Sequence, residues 1–353
     1  MVLGFHYHVP AVLKNDKICI PGYLGVFIDS LSPYFKEIVL FLHSPMEYEM
    51  KSMNYEILSK NIKLINIGPH SALHTRLITK SFYASSYIDR LSKIDIFLIR
   101  GPSPLIFHFE NLFKGKTFIY LVGDYLEGLK TLNIGIFKYV FLSFYYRYYH
   151  IRQNTLLKRN GLIVNSGLLF EKLKKYNSTI QECRTTTISK YNLFKREDTC
   201  EKESCINITY TGQIIHNKGI FDIINACAAL VRQEYDIKIN FAGLIFKNTM
   251  RILDEVYVLL KKHKIEDRFV FHGELKVGNE LNELYRKSDI FVVASKSDFE
   301  GFPRTIWEAM ANSCPVIATR VGSIPNYLKN EHDSILIDRN NLNQLIDSIK
   351  MVI

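Results

Sequence analysis

The six cysteines of this 353-residue chain, at positions 19, 183, 200, 205, 227 and 314, form no C-x-x-C pair, and no histidine cluster accompanies them. That disfavours a zinc site of ordinary spacing and a disulfide framework, and free thiols are expected. The eleven histidines are scattered without metal-ligand spacing; His6 and His8 share one face of the first strand-like run and read as core or cleft-lining residues. No G-x-G-x-x-G follows that run, which disfavours a nicotinamide enzyme, and no G-x-x-x-x-G-K-[ST] occurs, which disfavours a P-loop ATPase. No signal pattern is read at the start, where Pro10 and polar residues soon follow residues 2–8, so a cytoplasmic location is expected. Lys138 and Arg147 interrupt the aromatic stretch 134–159, leaving no run of about 18 apolar residues to span a bilayer. Acidic residues are scarce in the first half. Residues 1–195 hold 25 Lys+Arg against 13 Asp+Glu, whereas residues 196–353 hold 20 against 22.

What is present is a folded chain, 47% hydrophobic and 23% charged, long enough for two domains. The basic first half suggests an anionic partner: a phospholipid surface, a lipid diphosphate or nucleic acid. Strands are predicted at 2–8, 37–42, 62–65, 95–100, 117–122 and 162–165, with helices at 26–35, 75–91 and 168–176. The polar stretch 190–204 is the best linker in the chain. A second series follows: strand 206–211, helix 219–232, strand 237–242, helix 248–263, strand 269–272, helix 279–287, strand 289–294, a helix, strand 315–319 and a last helix at 342–351. Alternation of this kind implies parallel sheets with helical crossovers. Residues 134–159 are rich in Phe and Tyr and basic throughout, which fits a helix lying in a membrane interface or a long helix packed under the sheet.

Residues 297–319 read S-D-F-E-G-F-P-R-T-I-W-E-A-M-A-N-S-C-P-V-I-A-T and place Glu300 and Glu308 eight positions apart around a helix start. Glu300 falls at the carboxyl end of a buried strand, where open α/β sheets bind ligands. Pro303 is expected as the first helical residue, with the amides of Gly301, Phe302 and Arg304 pointing above the sheet. Glu308 falls between Ile306-Trp307 and Ala309-Met310. A carboxylate so placed needs donors, and a ribose diol would supply two. Singly, Glu308 also reads as an ordinary helix-surface residue and Glu300 as a partner of the helix dipole. Upstream, Gly212-Gln213 precedes Asn217-Lys218-Gly219 at a second strand-to-helix turn, where a lysine adds its charge to a helix N-terminus.

These motifs resemble the E-x7-E signature of retaining GT-B glycosyltransferases of the group 1, or family 4, type, usually E-G-F-x-x-x-x-x-E-A-M-A-x-G-x-P-V-I-A-T. Asn312 and Ser313 depart from it mildly. The resemblance covers residues 206–338 well and the first half in outline. It implies an α/β GT-B fold, two Rossmann-like domains with parallel sheets facing a cleft. Residues 1–190 would bind the acceptor, 191–204 link, and 205–353 bind the nucleotide sugar, with a last helix crossing back that is either missing or formed by residues 342–353. Glu300 would contact the donor sugar and Glu308 the ribose. Lys218 matches the diphosphate-binding lysine of the second signature, G-R-x-x-x-x-K-G, and Gln213 stands where that motif has arginine; Arg304 or Lys296 are the candidates to replace its charge. Gly22 and Gly25 resemble the glycine-rich loop after the first strand. Asp124 stands where a histidine often reaches the transferred sugar, and reads either as a ligand of a sugar hydroxyl or nucleophile or as a helix cap.

The implied function is transfer of a sugar from a nucleotide diphosphate to a growing glycan, with retention and with no metal or other cofactor required. The basic, aromatic first half favours a polyprenyl-diphosphate-linked acceptor in O-antigen or capsule synthesis and a peripheral place at the inner face of the membrane. A GT-B epimerase or hydrolase, and a basic nucleic-acid-binding protein, are the alternatives. Dispersed basic residues and the absence of a binding motif count against nucleic acid.

Overall fold

Seven of the nine residues of β1 (Val2–Pro10) are buried. A strand covered on both faces belongs inside a parallel sheet with helices on either side. The computed structural model describes residues 1–130, 135–185, 187–188, 193–196, 205–245, 251–298 and 300–353. Chain contacts divide it into two units, Met1–Thr186 and Thr187–Ile353.

In the first unit β1 runs into a hairpin, β2 (Val12–Lys14) and β3 (Lys17–Ile20), turned by Asn15 and Asp16 at φ 48° and 62°. Then come α1 (Gly22–Leu31), β4 (Glu37–Ser44), β5 (Tyr55–Glu56), β6 (Ile62–Pro69), α2 (Leu73–Ala84), α3 (Ile88–Leu91), β7 (Ile96–Gly101), α4 (Ile106–Leu112) and β8 (Lys116–Leu121). The unit closes with α5 (Tyr125–Lys130), α6 (Ile136–Leu157), β9 (Gly161–Val164), α7 (Gly167–Leu173) and β10 (Gln181–Glu182). Seven strands form one parallel sheet in the order β10-β9-β8-β7-β1-β4-β6, and β2, β3 and β5 form a small antiparallel one. Apolar cores lie on both faces of the large sheet: Ile99, Phe109, Leu157 and their neighbours on one, Leu24, Ile28 and Leu98 on the other.

The second unit holds β11 (Ile206–Thr211), α8 (Ile220–Val231), β12 (Ile237–Ala242), α9 (Arg251–His263), β13 (Phe269–Phe271), α10 (Asn279–Arg286), β14 (Ile290–Val293), α11 (Arg304–Ala311), β15 (Val316–Thr319), β16 (Ile335–Ile337) and α12 (Leu342–Val352). Its six strands are parallel, in the order β13-β12-β11-β14-β15-β16. Helix α8 buries Ile220, Ile223, Ile224, Cys227 and Leu230. Each such side chain contributes about 1.5–3 kcal/mol.

The expected strands are present, and several helices differ. α1 begins four residues early, so Gly22 and Gly25 are helical and form no loop. Pro21, at φ −59° and ψ 134°, sets the start. A Cβ on Gly25 would lie 2.1 Å from the Tyr55 ring, so this glycine serves close packing, and the Gly22 amide donates to Asn54 Oδ1 at 2.9 Å. The helix expected over 75–91 breaks after Ala84, where Ser86 Oγ donates to the Tyr83 carbonyl (2.6 Å) and competes with the helical ladder. α4 was not expected. The start of the helix expected at 248 lies outside the described residues, as does most of the stretch 191–204. Its described part, 193–196, packs on the second unit: the Phe194 amide donates to the Ala311 carbonyl, and Arg196 donates to the carbonyls of Arg286 and Ser288. Leu345 and Ile349 of α12 lie in the core of the second unit, so this helix is used there.

Candidate active site

In the second unit the strand order reverses between β11 and β14, and the loops leaving those two strands border that switch point. The β11 loop passes Gly212 and ends in the tight turn His216–Lys218, closed by Gly219 at φ 68°. A Cβ on Gly219 would lie 1.9 Å from the Ala294 carbonyl oxygen, so only glycine lets the turn press against the end of β14. The Lys296 amide donates to the Asn217 carbonyl at 2.8 Å and ties the two loops.

Within this frame Lys218 Nζ donates to both oxygens of Glu300, at 2.8 and 2.6 Å, and Ser295 Oγ donates to the same carboxylate. The Glu300 carbonyl accepts the Ser323 amide at 2.9 Å, and a Cβ on Gly322 (φ 55°) would lie 1.8 Å from it. Glu300 is thus held by backbone and side chain. α11 starts at Arg304, with Pro303 just outside it at ψ 123°, one residue later than expected.

Glu308, 7% exposed, faces inward. Tyr285 donates to its Oε2 at 3.1 Å, Thr187 donates to its Oε1, and Thr211 Oγ1 lies 2.6 Å from the Tyr285 hydroxyl. A carboxylate has about four acceptor places, and these contacts among the described residues take two of them. Its burial is as the sequence indicated, and part of its satisfaction is internal. Neither Thr187 nor Tyr285 nor Ser295 was singled out from the sequence. Each reads there as an ordinary loop or helix residue, and only the fold carries it to a carboxylate.

Of the cations considered for the charge missing at Gln213, Lys296 is paired with Asp222 at 2.8 Å, while Arg304 opens α11 half-buried. Gln213 itself is exposed, and its carbonyl accepts the Tyr210 hydroxyl at 2.8 Å. Gly301 is exposed, with nothing within 4 Å of a Cβ built on it. The Phe302 ring packs on Trp307 and Tyr327, with centroids 4.7 and 5.3 Å apart.

Residues 194–353 match the family described as glycosyl transferases group 1. Among curated relatives, an uncharacterized glycosyltransferase of Methanocaldococcus jannaschii, MJ1178, is 29% identical over 203 residues, covering 55% of this chain and 56% of that protein. The lipopolysaccharide core biosynthesis mannosyltransferase LpsB of Rhizobium meliloti is 28% identical over 139 residues, covering 39% of this chain and 38% of that one. The chain thus spans about half or less of the length of these relatives. Among solved structures, Anabaena Alr3699/HepE in complex with UDP and glucose superposes with a TM-score of 0.71 at 14% identity, covering 99% of this chain and 89% of that one. The fold is GT-B.

In GT-B terms the two loops that meet at Lys218 and Glu300 belong to the second Rossmann-like unit. Gly22, Gly25 and Asp124 belong to the first. Asp124 Oδ1 accepts the Leu126 amide at 2.8 Å and Oδ2 accepts Lys172 Nζ at 2.6 Å, so it caps α5 within an ion pair. Burial pushes its carboxyl up, but Lys172 and the Leu126 amide outweigh burial and hold it below the usual range. A carboxylate so engaged is a poor proton acceptor.

The aromatic stretch divides. The end of α6 buries Tyr149, Gln153, Leu156 and Leu157, while Phe137, Phe141 and Phe144 are 91%, 72% and 68% exposed. With Tyr148 and Ile151, also exposed, they recur every three to four residues and line one stripe of the helix. Among the described residues no helix is long and apolar enough to cross a membrane.

Proposed function

We propose that this protein transfers a sugar from a nucleotide diphosphate to a glycan acceptor, with the donor bound in the second unit. The observation that carries this reading is the Lys218–Glu300 ion pair at the strand switch point, with Glu308 linked through Tyr285 to Thr211 at the end of β11, in a domain that matches the group 1 family. Glu308 accepts from the ribose diol. Lys218 meets the diphosphate at the start of α8, a twelve-residue helix whose N-terminal amides add favourable charge. Glu300 orients Lys218 and meets the sugar.

The bond from the anomeric carbon to the diphosphate breaks while a bond to the acceptor oxygen forms on the same face. The acceptor's proton passes to the departing phosphate oxygen, and configuration is retained. Lys218 and the α8 amides are stronger partners for the leaving diphosphate than for the intact donor, because negative charge grows there in the transition state. The reading includes turnover without a metal, which undiminished turnover in a chelator would support.

The acceptor is proposed to be a lipid-linked glycan of a surface polysaccharide, presented to a first unit that docks on an anionic membrane. The LpsB relative favours such a pathway, and the exposed apolar stripe of α6, flanked by Lys138, Arg147, Arg152, Lys158 and Arg159, favours the membrane.

A thermal-shift screen against UDP-, GDP- and dTDP-sugars tests the donor site. A ligand that binds only the native state at about 100 times its Kd stabilises by about 2.7 kcal/mol. One nucleotide class should raise the melting temperature, and none doing so removes the donor-site reading. Products formed from that donor without acceptor separate a transferase from an epimerase or hydrolase.

A further inference from the structure

The first unit has a switch point of its own, beside β1, where the strand order steps to β4 on one side and to β7 on the other. No residue described there belongs to the donor site. His6 and His8 reach it from β1, His43 from β4, His70 and Ser71 from the turn after β6, and Arg76 from the first turns of α2. Arg100, at the end of β7, is near enough to His8 to oppose its protonation.

The hydrogen bonds define what is left open. His6 is satisfied, with Nδ1 donating to the Phe41 carbonyl and Nε2 meeting Ser103 Oγ at 2.7 Å. His43 is 1% exposed; its Nδ1 lies 3.2 Å from the Gly68 carbonyl and donates to it, so Nε2 is a bare acceptor. His70 donates through Nδ1 to Glu49 at 2.6 Å, which leaves its Nε2. His8 Nδ1, His43 Nε2, His70 Nε2, Ser71 Oγ and both Nε and Nη1 of Arg76 are buried without a partner, as are two nitrogens of Arg100. Six such atoms, on His8, His43, His70, Ser71 and Arg76, therefore gather at one strand end, while the Arg100 guanidinium lies over the rings of Tyr7, Phe27 and Tyr120 of the core on the other face. Native proteins leave few buried polar atoms unmatched, and a cluster of them at a strand-end crevice asks for a ligand.

The open atoms also specify that ligand. Guanidinium and hydroxyl donors suit an oxyanion. Bare imidazole nitrogens accept from hydroxyls. Tyr48, Glu49 and Tyr125 are the acidic groups facing Arg76, and Glu49 is already engaged by His70 and the Met46 amide. With Glu49 so engaged, the Arg76 guanidinium is the charge left to meet a ligand.

We propose that this crevice is an oxyanion subsite in which Arg76, Ser71, His8, His43 and His70 receive a sugar that carries a phosphate or carboxylate group. Within the glycosyltransferase reading that sugar belongs to the acceptor, and only this assignment rests on that reading.

Calorimetric titration of the full chain with glucose 1-phosphate, glucuronate, inorganic phosphate and glucose tests it, alongside imidazole NMR of the histidines. Glucose 1-phosphate or glucuronate should bind saturably and move the His43 and His70 signals, the two probes distinguishing a phosphate from a carboxylate, while glucose should not bind. Arg76→Met should weaken the bound probe by about ten- to hundredfold, and Arg76→Lys by less. If Arg76→Met does not fold, the wild-type signals and Arg76→Lys decide. Binding of no sugar anion, binding of inorganic phosphate alone, or equal affinity in the Arg76 variants overturns the proposal. Sugar-anion binding without any nucleotide-sugar stabilisation leaves the subsite standing and removes the donor site. The reverse pattern does the opposite.

Discussion

Glu308 is tied to Tyr285 and Thr187 before any ligand arrives. Glu308→Ala should therefore have two effects. It leaves buried hydroxyls short of an acceptor, which costs about 1–3 kcal/mol of stability, and it weakens the nucleotide by about 1.5–3 kcal/mol. Glu308→Gln, which keeps an oxygen, should recover more of the stability than of the affinity. Unchanged nucleotide affinity in a folded Glu308→Ala protein would take this residue out of the site. Lys218 differs, because its partner is a departing charge. Lys218→Ala should lower turnover at saturating donor by about a hundredfold, more than Glu308→Ala does, with partial rescue by Lys218→Arg. Near-normal turnover would assign the role to another cation. The histidines of the first unit make a pH prediction. Burial, with Arg76 and His70 nearby, lowers His8 and His43 from 6.5 to about 3, and burial lowers His6 well below 6.5. Between pH 6.5 and about 3 the unfolded chain binds protons that the folded one refuses, so stability is full above 6.5 and declines as pH falls. The slope is up to about 1.4 kcal/mol per pH unit for each histidine. Denaturant midpoints taken across the mildly acidic range should show the decline, and His43→Asn should flatten it. A flat wild-type profile would contradict the burial of these rings.

At the scale of elements, the donor site depends on two turns that approach other backbone closely. Gly219→Ala places a Cβ 1.9 Å from the Ala294 carbonyl oxygen at φ 68°. The left-handed conformation alone costs about 1–2 kcal/mol, and the turn must also shift, taking Lys218 with it. Weaker nucleotide binding together with a lower melting temperature is expected, and an unaffected variant would show that the turn has room to move. α6 carries an apolar stripe that the described residues leave exposed. Each basic residue near an anionic leaflet contributes about 1 kcal/mol, and the rings add burial, so binding should be reversible and should weaken with salt. Sedimentation with anionic liposomes at low and high salt measures this, and Phe141→Ser with Phe144→Ser should reduce it. Equal recovery in the supernatant with neutral and anionic liposomes at low salt sinks the membrane reading and leaves the acceptor free to be soluble.

At the scale of the whole chain, the two units are separately cored and differently charged. The excess of basic residues falls in the first, and the donor motifs fall in the second. Chains of this kind depart from two-state unfolding. Calorimetry should resolve two transitions, with a stabilising nucleotide sugar raising one and leaving the other. A single transition shifted as a whole would mean the units unfold together.

The alternation of strands and helices was legible in the chain because hydrophobic period is local. So were the two strand-end turns bearing Lys218 and Glu300, since glycine and proline mark such turns wherever they occur. The same local signals misplaced Gly22 and Gly25, because two glycines before an apolar run look alike whether they form a loop or the first turn of a helix packed on Tyr55. Tertiary structure decided what neighbours each functional atom. Tyr285 and Thr187 reach Glu308 from 23 and 121 positions away. His8, His43, His70 and Arg76 meet only because β1, β4 and β6 lie side by side. The exposure of α6 was equally undecided, since an aromatic helix is core or surface according to what covers it. Period fixes which residues share a face of one element; strand order and crossovers, set by the burial of the whole chain, fix which faces meet.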